Sequence, residues 1–449
     1  MLLLFTSVAC SDDEPERICE GRVYRLCDVR EASCHRQVFD SMRCLRGDSA
    51  DVPMPAVAVL SQREVQELFL EEQGEFELTD EVRHVQAALS LLGLVEPVEL
   101  TPESQVQVST EGLLGFYSAS ANALVVIDAD DFDYRGVEAN GTLGHEFLHA
   151  LQHADFDLEK YRKRIDESYD AELAATTLLE GEATFFGRFL ETELEGIDHE
   201  RVDWPAFYDE LTDAADEYVK DEPAPETTAF QVFPYTYGPH TSIDLWRKAG
   251  LAGLAKAREE RTPTTLAHLG RRHQVSLVRI SAPEAVEALT PAGFELFGVE
   301  KMGSWIVHGF VSHALGEEAT PRLALEWRGD SLSVFGSDEA SALIWEIEWE
   351  TEATARVIAE AVSARRAPGP GLWGAYPRGT STFIYGVSRG TEQLLAVEAA
   401  SRGEVSAPTA GGGDPPDAGT GPNARYDREA GHHALSTFLK GRVHSCIRD

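Results

Sequence analysis

The run His145-Glu-Phe-Leu-His149 constrains this chain more than any other feature. On a helix, at roughly 100° per residue, two histidines four positions apart stand only about 40° apart. Both imidazoles then reach one metal ion. The surrounding run Gly141-Thr-Leu-Gly-His-Glu-Phe-Leu-His-Ala-Leu-Gln152 carries apolar residues at Leu143, Phe147, Leu148 and Leu151, the spacing of a packed helix. Asn140 and Gly141 are expected to break the chain ahead of it. Glu146 stands beside the first histidine, placed to act on a metal-bound water without being a ligand. Zn²⁺ lowers the pKa of such a water, and a neighbouring glutamate takes its proton.

A site of this kind needs a third protein ligand and leaves a fourth position for water. The segment Asp170–Leu179 is predicted to be helical and leads into Leu178-Leu-Glu-Gly-Glu-Ala-Thr-Phe-Phe186. Glu180 and Glu182 are both candidates. Two positions on a helix are about 200° apart, so only one of them faces the metal. His153, four residues after His149, is read as structural or supporting rather than as a ligand.

The pentad followed by a Glu-Gly-x-Ala segment resembles the gluzincin metallopeptidases. More narrowly, His145-Glu-Phe-Leu-His-Ala-Leu-Gln-His-Ala-Asp-Phe-Asp-Leu158 is similar to a group of bacterial secreted or membrane-anchored zincins. Their typical text is His-Glu-Leu-x-His-Ala-Leu-Gln-Asp-Gln-x-Phe-Asp-Leu, followed by a helix with Leu-Val-Glu-Gly-Asp-Ala-Thr, which Glu180-Gly-Glu-Ala-Thr184 matches. Phe233-Pro-Tyr-Thr-Tyr-Gly238 is similar to their Tyr-x-Tyr-Gly segment. Thr262-Pro-Thr-Thr-Leu-Ala-His268 is similar to a Pro-x-Ser-Thr-x-x-x-Leu-His-Pro segment. The blocks keep their order from about residue 110 to 270, and a looser likeness continues through Met302-Gly303, Trp327-Arg-Gly-Asp330 and Trp349. The chain departs from the pattern at His153-Ala154, where the group has Asp-Gln, and at Thr264-Thr265, where it has Ser-Thr.

The resemblance implies an α+β fold, with a zincin-like, mainly helical metallopeptidase domain and a β-hairpin whose strand borders the cleft. It implies Zn²⁺ held by His145, His149 and Glu180, Glu146 as general base, and a peptide or protein substrate. Tyr237 is the first choice for hydrogen bonding to the oxyanion, with Tyr235 and His240 as alternatives. The competing class is a non-catalytic surface binding protein in which zinc only staples two helices, a role marked by four protein ligands.

The net charge of −38, from 39 basic and 77 acidic side chains, argues against a nucleic-acid partner. At 449 residues the chain can bury more than one core. No apolar run is long enough to span a bilayer. Met1-Leu-Leu-Leu-Phe-Thr-Ser-Val-Ala-Cys10 resembles the end of a lipoprotein signal, so export is expected, and membrane attachment only through a lipid on Cys10. Residues 1–18 are read as that remnant and residues 19–47 as a Cys-rich module. Cys19, Cys27, Cys34 and Cys44 fall within 26 residues without a Cys-x-x-Cys pair. They are expected to form two disulfides in an oxidising compartment, with three pairings open. Cys446 is left over.

The metallopeptidase domain is assigned to residues 55–275 and a C-terminal α/β extension to 276–401. A Gly-, Pro- and Asp-rich linker (402–425) and a tail of no assigned role (426–449) follow. Amphipathic helices are predicted over Ser61–Glu77 and Val82–Leu94, a hairpin over Gly112–Ile127, and a helix near Thr241–Ala249. In the extension, helices are predicted at 303–314 and 353–364, and strands at Arg322–Trp327, Ser341–Trp349 and Thr380–Val387. Along Leu343–Trp349, Trp345, Ile347 and Trp349 share one face, while Glu346 and Glu348 share the other. Trp327-Arg-Gly-Asp330 is predicted to be a turn.

Overall fold

The computed structural model describes residues 23–47, 52–73, 79–95, 106, 110, 113–129, 132–165, 168–221, 225–260, 264–270, 283–315, 321–365, 371–403 and 447–448. The readings of Cys10, of residues 1–18, of Cys19, of Cys446 and of nearly all of the linker and tail lie outside these residues, as does the Thr262-Pro263 start of the fourth block.

The fold is mixed α+β and mostly helical. The first half comprises α1 (Ala32–Arg46), β1 (Ala56–Ser61), α2 (Gln62–Gln73), α3 (Asp80–Leu91), β2 (Gly115–Ser118) and β3 (Ala123–Asp128). Four long helical segments follow: α4 (Val137–Phe156), α5 (Tyr169–Leu194), α6 (Trp204–Asp221) and α7 (Pro225–Glu260); α7 is two helical stretches joined at a kink, where Ala249 and Gly250 leave helical backbone geometry. The last part holds β4 (Glu295–Glu300), α8 (Gly303–Leu315), β5 (Trp327–Gly336), β6 (Ser341–Trp349), α9 (Glu352–Ser363), β7 (Leu372–Arg378), β8 (Ser381–Val387) and α10 (Thr391–Ser401). Ile447–Arg448 form a short β9.

The predicted hairpin is present as β2 and β3, antiparallel, with Asn122 at φ 44° in its turn, a conformation that asparagine tolerates better than most residues. The small sheet runs β1-β3-β2-β9. β1 is parallel to β3, and β9 pairs with β2 at Tyr117 and Ser118. The second sheet is antiparallel, in the order β4-β5-β6-β8-β7. Its β6 has the predicted bounds and faces. Trp345, Ile347 and Trp349 are buried in one core with Leu89 of α3 and Trp305 of α8, while Ala342 and Ile344 are buried against α10 on the other side.

Three local expectations are overturned. Asn140 and Gly141 do not break the chain but lie inside α4, which starts at Val137. Glycine is needed at 141 for packing: a Cβ there would stand 2.2 Å from Glu191 Oε1 of α5. Of Arg322–Trp327, expected to be strand, only Trp327 is in a strand, and Pro321–Leu325 is a short helix; proline is favoured in the first turn of a helix, and so short an apolar run does not discriminate between the two. Trp327–Asp330 is no turn. It opens β5 with an irregular register between Trp327 and Gly329. Asp330 there accepts hydrogen bonds from the backbone N–H groups of Met302 and Gly303 and from the indoles of Trp327 and Trp345, which ties the start of α8 to the second sheet.

The Cys-rich segment shares a core with the pentad helix. Phe39 of α1 meets Phe147 edge-on at 5.2 Å, and Met42 is fully buried beside them. Cys27 and Cys34 form a disulfide, and Cys44 is also disulfide-bonded. Asn140 of α4 donates to the Cys27 carbonyl at 3.0 Å.

Helices α5 and α7 cross with their backbones in contact. A Cβ on Gly181 would stand 2.2 Å from the Gly238 carbonyl carbon, and one on Gly238 would stand 2.4 Å from the Thr177 carbonyl oxygen. The glycines of the Glu-Gly-x-Ala and Tyr-x-Tyr-Gly blocks therefore serve one crossing, and that crossing fixes Glu180.

Candidate metal centre

Three of the residues expected to bind metal converge. His145 Nε2 lies 3.0 Å from Glu180 Oε2, His149 Nε2 lies 3.4 Å from the same oxygen, and the two imidazole nitrogens are 3.1 Å apart. Donors about 2.05 Å from a tetrahedral zinc are about 3.3 Å from one another. This triangle, with two imidazoles and one carboxylate, is therefore of the size and chemistry that zinc takes. The group is a candidate metal-binding site. His149 and Glu180 are buried, and His145 is partly open to solvent.

Burial and charge oppose one another here. Burial works against ionisation of Glu180, but the charge of His149 and the hydrogen bonds from both histidines hold its carboxyl well below the ordinary range. Burial pushes the His145 imidazole down, against the pull of Glu180.

Glu146 is 3% exposed. Burial raises its carboxyl to about 8, against a lowering by His149. It accepts a hydrogen bond from the Tyr117 backbone in β2, while its Oε2 has no hydrogen-bond partner among the described residues. It lines a cleft of about 410 Å³ together with His145, Tyr235 and residues 113–115 at the start of β2.

Glu182 is not at the metal triangle. It is fully buried and paired with Arg46 of α1 at 3.0 Å and with Arg258 of α7. Arg46 also holds Asp155 at 2.6 Å. Gln152 connects this ion cluster to the candidate ligand: its amide donates to Glu182 Oε2 at 3.1 Å, and its carbonyl oxygen lies 2.9 Å from His149 Nδ1. A partner on the second ring nitrogen fixes which nitrogen faces a metal. Gln152 belongs to the motif block but carries no role that the sequence assigns, and Arg46 and Arg258 carry no local signal at all. The arginines lie 136 and 76 residues from Glu182, and nothing local marks such a distant pairing.

His153 lies apart from the triangle, as expected. Its Nδ1 accepts from the Leu158 backbone, and its ring lies beside Tyr117. Tyr237 is not brought to the cleft: its hydroxyl donates to Asp216 at 2.7 Å and its ring packs on Phe233 and Trp305. His240 bonds Asp209 at 3.1 Å. Tyr235 is the one of the three that lines the cleft, with its ring 6.0 Å from that of His145. A second group, Glu193, Asp198 and His199, also meets the spacing for a metal. It lies nearer the surface, with Asp198 exposed and paired with Arg201, and His199 bonds Glu193 at 2.6 Å within the group.

Comparison with protein-family models, with curated proteins and with solved structures finds no match to this chain.

Proposed function

We propose that this protein is a zinc-dependent metallopeptidase acting outside the cytoplasm. The observation that carries the reading is Glu146: a buried carboxyl with one oxygen that has no hydrogen-bond partner among the described residues, lining a cleft beside a three-donor metal group. Three protein donors leave a fourth position for chemistry, whereas a structural zinc is closed by four. No fourth donor joins the triangle among the described residues. That favours catalysis over a zinc that only staples helices. The disulfides support an oxidising compartment. No described helix is long and apolar enough to cross a membrane.

His145, His149 and Glu180 would hold the ion, with Gln152 orienting His149. Bound zinc would supply a Lewis acid that polarises the scissile carbonyl and makes water easy to deprotonate at neutral pH. The charge of a bound ion would offset the burial that raises the Glu146 carboxyl, and as a carboxylate Glu146 would take the proton from the attacking water as the new C–O bond forms. It returns that proton to the amide nitrogen as the C–N bond breaks, leaving an acid and an amine. Tyr235, beside His145, is placed to donate a hydrogen bond to the carbonyl oxygen as it gains charge. The test is peptide-library cleavage by wild type and Glu146→Gln at equal zinc content. The variant should lose about 10²–10⁴-fold in rate. Cleavage at the wild-type rate would remove Glu146 from the chemistry.

A further inference from the structure

The cleft extends from Glu146 along one face of α5. Thr184, Gly187, Arg188 and Glu191 line it, at positions 4, 7, 8 and 11 beyond Glu180, the spacing of a single helix face. The start of β2 and Tyr208 of α6 line it as well. Its volume of about 410 Å³ is within the range of small-ligand sites.

Arg188 is the only lysine or arginine among the described lining residues, in a chain of net charge −38. It is held in place rather than swinging freely. One terminal nitrogen donates to Glu191 Oε2, and Glu191 is itself wedged against Gly141 of α4. That bond engages one nitrogen of a group with five N–H donors, and the side chain is 49% exposed. Two further cleft-lining residues, Tyr208 and Thr184, carry buried hydroxyls with no hydrogen-bond partner among the described residues. A buried hydroxyl without a partner is costly, and a ligand that bonds it removes the cost. A guanidinium beside two hydroxyl donors suits a ligand that is negatively charged and accepts hydrogen bonds, and a carboxylate fits best.

We propose that this cleft recognises a carboxylate on a bound peptide, with Arg188 supplying the charge and Tyr208 and Thr184 supplying hydrogen bonds. The proposal rests on the peptidase reading for its ligand class. Arg188 stands eight residues, about 12 Å of helix rise, beyond Glu180. At about 3.3 Å per extended residue, the recognised group is three or four residues from the bond that Glu146 faces. It is either the peptide's C-terminal carboxylate or an Asp or Glu side chain.

The test uses the full chain carrying Glu146→Gln, so that no peptide is consumed. It is titrated calorimetrically with short N-acetylated peptides of neutral sequence. A single Glu is moved position by position, and each peptide ends in either a carboxylate or an amide. One acidic member should bind roughly 10–100-fold more tightly than its Gln or amide counterpart. Preference for the terminal acid identifies the C-terminus as the recognised group, and preference for one internal Glu identifies a side chain. Adding Arg188→Gln should erase the preference, Arg188→Glu should reverse it toward Lys at that position, and Tyr208→Phe should weaken it severalfold. Equal binding of acidic and neutral peptides, no binding at all, or a uniform loss across all peptides on Arg188→Gln would overturn the proposal. Selective acid binding by a protein whose wild type cleaves nothing would instead sink the peptidase reading and leave this one standing.

Discussion

Gly181→Ala sets two effects against one another. In an isolated helix, alanine in place of glycine is stabilising by about 1 kcal/mol. In this fold the new Cβ would stand 2.2 Å from the Gly238 carbonyl carbon, 2.4 Å from its oxygen and 2.5 Å from its Cα. Carbon atoms pack at about 3.5–4.0 Å, so α5 and α7 would have to separate by roughly 1 Å. The obstacle is backbone, which cannot swing aside as a side chain can. Overpacking typically costs about 1–3 kcal/mol, and more when backbone must move. A net loss of about 2 kcal/mol follows, and the strain falls one residue from Glu180. Urea unfolding should show a lower midpoint at unchanged slope, and competition against a chromogenic chelator should show weaker zinc binding. A variant as stable as wild type or more so, as helix propensity alone predicts, would refute the crossing and the explanation of both glycine motifs.

Glu180→Gln and Glu182→Gln should separate binding from stability. The first should abolish tight zinc binding. The second leaves Arg46 and Arg258 without their buried carboxylate and should cost about 3–5 kcal/mol in unfolding, while weakening zinc by about 10–100-fold through Gln152 and His149; the reverse ranking for zinc would move the ligand to Glu182. Glu300 gives a pH test. Burial raises its carboxyl from 4.5 to about 8, against hydrogen bonds from the Tyr169 and Lys301 backbones. The folded chain therefore keeps a proton that the unfolded chain releases, and stability falls as pH rises from 4.5 to about 8. Glu300→Gln should flatten that slope and gain on wild type toward pH 8; parallel stability–pH curves would contradict it.

The sequence was most legible where a short-range pattern carries the physics. The i, i+4 histidines, the alternation along β6 and the polar turn between β2 and β3 each depend on neighbours within a few residues, and each appears as expected. Glu180 was separable from Glu182 only through the resemblance, since an acidic chain offers many carboxylates. What sets them apart in space is the pair of arginines that claims Glu182. Tyr235 and Tyr237 posed a similar problem. Two residues apart on a helix, they face different ways, and which one meets the cleft depends on how α7 lies across α5. The Cys-rich segment was legible only as a disulfide module, because the helix it packs against, with Phe39 on Phe147, is about a hundred residues away. Asp330 looked like a turn residue for the same reason. Its backbone partners at Met302 and Gly303 come together with it only in the folded chain.

The most direct test of this account is the zinc content of the dialysed protein, measured for wild type and for a His145→Ala/His149→Ala variant. The wild type should hold about one zinc per chain and the folded variant none. A wild type without zinc, or a variant that keeps it, would contradict the metal centre on which the proposed chemistry depends.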